Sequence, residues 1–206
     1  MPSHDQETRR RLIEAGERLF ASRGFAHVTV RDICAAADAN VAAVNYHFGD
    51  KFGLYAEIVQ TAATAMRETG DDTDRDDAAR PEDRLRGYVR GYLHRVRGAD
   101  RAPWIHQLIA REMADPTPAL DIVVEQAIRP RLRYLAGVIA ELLHAPVEDE
   151  RVVRCATSVH AQCLSFVPTA VGRRLYPELE TDGEALEALA NHVVEFSLAG
   201  IRALAR

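Results

Sequence analysis

Apolar residues recur every three to four positions along most of the chain, the period of an α-helix. Over residues 6–23, Leu12, Ala15, Gly16, Leu19 and Phe20 line one face, charged residues line the other, and Gly24 marks a C-terminal stop. Thr29 followed by Asp32 is a capping-box variant. It opens a helix running to about residue 37, with Val30, Ile33 and Cys34 inward. Asp38-Ala39-Asn40 forms a turn, since Asp and Asn tolerate left-handed backbone better than most side chains. Asn40 can cap a short helix over 41–47, Gly49-Asp50 breaks it, and a longer helix covers 51–68.

Further helices are predicted at 82–97, 103–114, 117–144, 148–171 and 183–204, the last opened by the box Thr181-Asp182-Gly183-Glu184. Pro130 falls inside the seventh and should kink or split it. The sum is an all-α fold of about nine helices with no internal repeat.

Composition narrows the picture. The chain has 206 residues, 47% of them hydrophobic and 28% charged, with 12 Gly and 9 Pro. That profile fits a folded helical protein and argues against a turn-rich all-β one. No apolar run reaches the roughly 18 residues of a membrane span, and the N-terminal MPSHDQETRRR lacks the apolar stretch of a signal peptide. Cys34, Cys155 and Cys163 form no CxxC, so a reducing, cytoplasmic setting is expected.

The net charge of −5 argues at first against a nucleic-acid partner. Eight acids and two bases between Glu68 and Asp83 account for that excess, while residues 1–67 hold eight of each sign. Residues 69–80 read as an acidic linker that would repel DNA from the second half of the chain. Arg9, Arg10 and Arg11 are either a solvated helix face or a phosphate-facing patch.

The stretch Thr29–Lys51, TVRDICAAADANVAAVNYHFGDK, is two short helices around a three-residue turn, a helix-turn-helix. Its second helix starts with small side chains, Val41, Ala42 and Ala43, which let a backbone approach groove walls and thymine methyls. Asn45 can pair with adenine, and Tyr46 and His47 can donate to phosphates. Val44 and Phe48 point the other way as anchors. Lys51, opening the next helix, can hold a phosphate together with backbone N–H groups. Thr29, Arg31 and Asn40 complete the candidate DNA-binding set.

This region resembles the DNA-binding domain of TetR-family bacterial transcriptional regulators. The resemblance rests on Thr29–Ile33, on Tyr46-His47-Phe48-Gly49-Asp50-Lys51, on Leu54 and Tyr55, and on the lead-in Glu17–Phe25. Departures are Asp38 for the usual turn glycine, Asn40 for the usual serine, and Asn45 for a common tyrosine. The run NVAAVNYHFGDKFGLY more closely resembles the subgroup including the cephalosporin- and chloramphenicol-responsive regulators.

The resemblance implies a helix-turn-helix domain over 1–50 and an effector-binding and dimerisation domain over 51–206. It implies a homodimer on a palindromic double-stranded operator and release of a repressor by a small-molecule effector, with the fourth helix as lever. Partner-facing stripes are expected at Val152, Ala156, Val159, Cys163, Phe166 and Val167 on one helix and at Leu186, Leu189, Val193 and Phe196 on the last. Effector-binding candidates are Trp104, His106, Gln107, Arg111, Met113, Tyr134 and His160. The histidines and cysteines lack metal-ligand spacing, and no cofactor motif or GxSxG, HExxH or glycine-rich phosphate loop occurs. An enzyme is therefore not expected. A chain that has lost DNA recognition and only binds ligand or protein is the remaining alternative.

Overall fold

The computed structural model describes residues 4–71, 78–97, 103–167, 170–175 and 183–205, all helix, turn or loop. Residues 72–77 of the acidic linker, and Thr181-Asp182 of the last capping box, lie outside the described residues. The helices are α1 (His4–Arg23), α2 (Val30–Ala37), α3 (Val41–Phe48), α4 (Lys51–Asp71), α5 (Pro81–Arg97), α6 (Pro103–Ala114) and α7 (Leu120–Val123). A π-helical turn, Val124–Ile128, leads into α8 (Arg129–Leu143), followed by α9 (Glu150–Ser165), α10 (Ala170–Leu175) and α11 (Gly183–Leu204).

Local chemistry sets these boundaries. Thr29 Oγ1 accepts the Asp32 N–H at 3.2 Å, and the Thr29 N–H donates to Asp32 Oδ2 at 2.9 Å, so the predicted box is closed in both directions. Asn40 Oδ1 caps α3 through the Ala43 N–H at 2.9 Å. Between them Asp38 is left-handed, φ 48° and ψ 54°, where glycine is the easiest occupant. Pro130 has no N–H for the Gln126 carbonyl and its ring crowds that oxygen, which accounts for the π-helical widening just before it. The expected eighth helix ends early, at Ser165. Pro168 stands three residues on and biases Val167 away from helix.

The chain packs as two compact units. Unit one comprises residues 1–67 and 101–128, and unit two residues 68–100 and 129–206. The division by packing therefore falls elsewhere than at residue 50. Most of α4, together with α6, α7 and the π turn, shares a core with α1–α3. That core holds Leu12, Phe20, Ile33, Val44, Leu54, Ile58, Leu108 and Val123.

Unit two packs α5, α8, α9 and α11 against one another. Val152, Ala156, Val159, Cys163, Leu186, Leu189 and Val193, the stripes expected at a partner surface, are buried in its core, with Phe166 and Val167 packed on its edge. Only Phe196 of that set is open, 65% exposed. A helix in a bundle turns its most apolar stripe toward its own neighbours first, so the opposite face is the one left to solvent.

The left-handed Asp38 is the strained position of the turn. Asp38→Val should lower stability to urea by roughly 1–2 kcal/mol, because a β-branched side chain fits that conformation badly. Asp38→Gly should be neutral or stabilise by about 0.5 kcal/mol.

Candidate nucleic-acid interface

The α2–α3 pair is built so that one face of α3 is anchored and the other is open. Val44 is fully buried, and Phe48 packs against the unit-one core with the Arg9 guanidinium 5.3 Å from its ring centre. Val41 is 44% and Tyr46 77% exposed, and Ala42 and Asn45 are also exposed. Thr29, Arg31 and Asn40 are exposed as well. The Thr29 hydroxyl donates to Asp32 Oδ2 at 2.7 Å, which helps hold the Asp32 carboxyl below its ordinary range.

Two predicted contacts sit differently. The His47 side chain is only 7% exposed, with Nε2 3.4 Å from Asp5 Oδ1, so it ties α3 to the start of α1. Lys51 turns inward. Its ammonium donates to the carbonyls of Phe25 and Val28, both at 3.0 Å, and stands 4.0 Å from the centre of the Phe25 ring. Both side chains serve the assembly around α3 rather than its outer face. The physical reason is proximity: the α1–α2 turn leaves carbonyls without helical partners beside the start of α4, and a nearby cation satisfies them.

The arginine run is engaged by the unit's own acids. Arg9 pairs with Glu57, Arg10 with Glu7 and Glu14, and Arg11 reaches Asp38 at 3.6 Å. The α3–α4 turn is equally constrained. A Cβ on Gly53 would stand 2.0 Å from the Phe48 carbonyl oxygen, and the Gly53 N–H donates to Asp50 Oδ1 at 2.8 Å. Only a residue without a side chain lets α4 start so close to the end of α3.

The effector candidates divide between the units. In unit one, Trp104 packs on the core, His106 and Gln107 are exposed, and Met113 is 53% exposed. Arg111 donates to the carbonyls of Ala21 and Ser22. In unit two, Tyr134 lies under the Arg84 guanidinium, 5.5 Å from it. His160 Nδ1 is 3.1 Å from the Tyr88 hydroxyl, and its ring meets Tyr92 edge-on at 5.4 Å. Burial raises the Tyr88 and Tyr92 phenols above their ordinary value, with the Arg131 and Arg95 charges pulling the other way. Burial first, and Arg131 second, lower the His160 ring.

Sequence reasoning missed Glu112, which is 1% exposed and accepts from Tyr55 and Thr117. Its signal was present: Leu108 and Glu112 are four apart on one face of α6, and an acid on an apolar stripe calls for donors. Cys34, Cys155 and Cys163 are free and buried.

Lys51→Met keeps the apolar stem but abandons two carbonyls. It should lower stability to urea by about 1.5–3 kcal/mol. The salt dependence of duplex binding by the folded variant should match the parent, because no phosphate contact is removed.

Comparison with known proteins agrees with this architecture. Residues 12–58 match the tetR family of bacterial regulatory proteins. Residues 81–201, more than half of the chain, match the C-terminal domain of the HTH-type transcriptional dual regulator CecR. The chain is 28% identical over 172 residues to CecR of Shigella flexneri, covering 78% of this chain and 76% of that one. It is 28% identical over 178 residues to the HTH-type transcriptional repressor AcnR of Corynebacterium efficiens, covering 78% and 88%. A transcriptional regulator from Pseudomonas aeruginosa PAO1 has the same fold with TM-score 0.70 at 18% identity, covering 96% of this chain and 93% of that one. A TetR-family regulator from Streptomyces coelicolor matches with TM-score 0.67 at 21% identity, covering 96% and 97%. With its capped α2–α3 pair at one end and a CecR-type helical domain at the other, the chain belongs to the TetR family of transcriptional regulators.

Proposed function

We propose that this TetR-family regulator reads a palindromic operator with the outer face of α3 and does so as a homodimer. The observation that carries the reading is the division of α3 into an anchored face, Val44 and Phe48, and an open face, Val41, Ala42, Asn45 and Tyr46. Small residues at the helix start admit the backbone to the major groove, Asn45 offers a bidentate partner to adenine, and Tyr46 reaches phosphate. Arg31, exposed on α2, adds a cation beside that face.

The dimer surface we assign is the solvent face of α9 and α11, not the stripes buried in the core. On α9, Val153, Thr157, Ala161 and Leu164 recur at helical spacing, with Val153 54% and Leu164 41% exposed. On α11, Ala188, His192, Phe196, Ala199 and Ala203 do the same. Small residues around a few large apolar ones suit close helix packing across a two-fold axis. Half-sites roughly 34 Å apart require such a pair.

The effector is received in unit two, beside Tyr88, Tyr92 and His160, where Arg95 and Arg131 favour an anionic or strongly polar compound. Release is a population shift: the effector must prefer the conformation whose reading helices no longer match the operator. Arg111 and Trp104 belong to unit one, Arg111 on the Ala21 and Ser22 carbonyls and Trp104 on that unit's core.

Selection of bound sites from random duplexes should return a palindrome, and its retention in a gel should weaken with salt, less steeply than for a strongly basic reading face. Asn45→Ala should relax preference at one position per half-site by roughly 1–3 kcal/mol. A uniform loss across sequences would remove the base-reading role. Phe196→Glu should convert the protein to a monomer in sedimentation and weaken operator binding, while melting of the single chain stays close to the parent.

A further inference from the structure

The turn between α1 and α2 is gripped from two sides. From α6, Arg111 donates through Nε to the Ala21 carbonyl at 2.7 Å and through Nη2 to the Ser22 carbonyl at 2.5 Å. These carbonyls end α1 and have no helical partner, and a cation there also meets the negative end of the helix dipole. Gly24 follows at φ +81°, with the Arg111 guanidinium 3.8 Å from where a Cβ would stand.

The neighbouring Glu112 carboxylate takes the Tyr55 hydroxyl at 2.5 Å on one oxygen. Its other oxygen takes the Thr117 N–H at 2.7 Å and the Thr117 hydroxyl at 2.9 Å. The Tyr55 ring meets Phe20 at 4.9 Å and Phe25 at 4.8 Å. From the start of α4, Lys51 holds the Phe25 and Val28 carbonyls. Thr29, the cap of α2, is the next residue. Thus the segment that sets where α2 begins is bonded at its near end to α6 and at its far end to α4, all within unit one.

We propose that Arg111 and Glu112 are positioning residues for operator recognition, carrying a displacement of α6 to the α2–α3 pair through the α1–α2 turn. The route adds to the fourth-helix lever a bonded path that starts on α6 and enters at the end of α1. It rests on the DNA-binding reading above. Coupling is reciprocal: if the position of α6 biases the reading helices, operator binding must restrain α6. The test therefore needs no effector.

Hydrogen exchange is measured on the full chain with and without the duplex recovered by selection. In the parent, the duplex should slow exchange of the α6 amides about tenfold, a size ordinary for coupling between two sites. Arg111→Met keeps the packing stem, and should still protect α3 on binding but lose the α6 response. Arg111→Lys should restore part of it. Tyr55→Phe, which deletes one hydroxyl and keeps the ring contacts, should diminish the α6 response and serves where Arg111→Met does not fold.

If α3 is protected while α6 of the parent is not, the proposal is overturned. The same holds if Arg111→Met, or Tyr55→Phe in its place, shows the full parental α6 response. If no duplex protects α3, the DNA-binding reading has failed instead.

Discussion

The placement of the Lys51 ammonium governs the first unit. It lies between two backbone carbonyls and the face of Phe25, each within 4.0 Å. This is the only lysine among 26 basic residues of the Lys/Arg type. An ammonium is a compact tetrahedral donor, whereas a guanidinium is a planar fork that suits carboxylates and phosphates. A site formed by two converging carbonyls and an aromatic face calls for the former. Because the Phe25 and Val28 carbonyls bracket the turn, that cation, together with Arg111 on the last carbonyls of α1, holds the passage from α1 to α2 and hence the place of the Thr29 cap.

Everything outward of that point follows by short-range rules. The Thr29–Asp32 box starts α2, Asp38 ends it, Asn40 starts α3 and Gly53 lets α4 begin close against the end of α3. The Asp32, Ala43 and Gly53 N–H groups are each satisfied by a side chain three residues back, and Asp38 closes α2 with its left-handed backbone. Such signals are visible in a sequence because both partners lie in one window of it. That is why α2 and α3 were legible almost to the residue, with α3 ending at Phe48 rather than 47.

What sequence did not disclose is the partner of a long side chain. Lys51 reaches residues 26 and 23 positions back, and Arg111 reaches residues 90 and 89 positions back. Their charge suggested phosphate and effector, and only the fold supplies the competing carbonyls. The stripes on α9 and α11 mislead for a related reason. Val152, Val159, Leu186 and Val193 announce a buried face but not whether a neighbour in the same chain or in another covers it. The exposed series around Phe196 is less apolar and so less conspicuous, although it is the face left to solvent.

The internal use of cations also bears on how the first unit would meet a duplex. Arg9, Arg10 and Arg11 are drawn to Glu57, Glu7, Glu14 and Asp38, Lys51 to carbonyls, and His47 to Asp5. Asp38 itself stands fully exposed in the turn before α3. A reading face flanked by so few uncommitted positive groups gains less from counterion release than a strongly basic one. On the proposed reading, its discrimination would then rest more on the fit of α3 in the groove and on presenting two such helices at once. That requirement makes the orientation of α2–α3 the sensitive quantity, and orientation is what the grip of Lys51 and Arg111 on the α1–α2 turn controls.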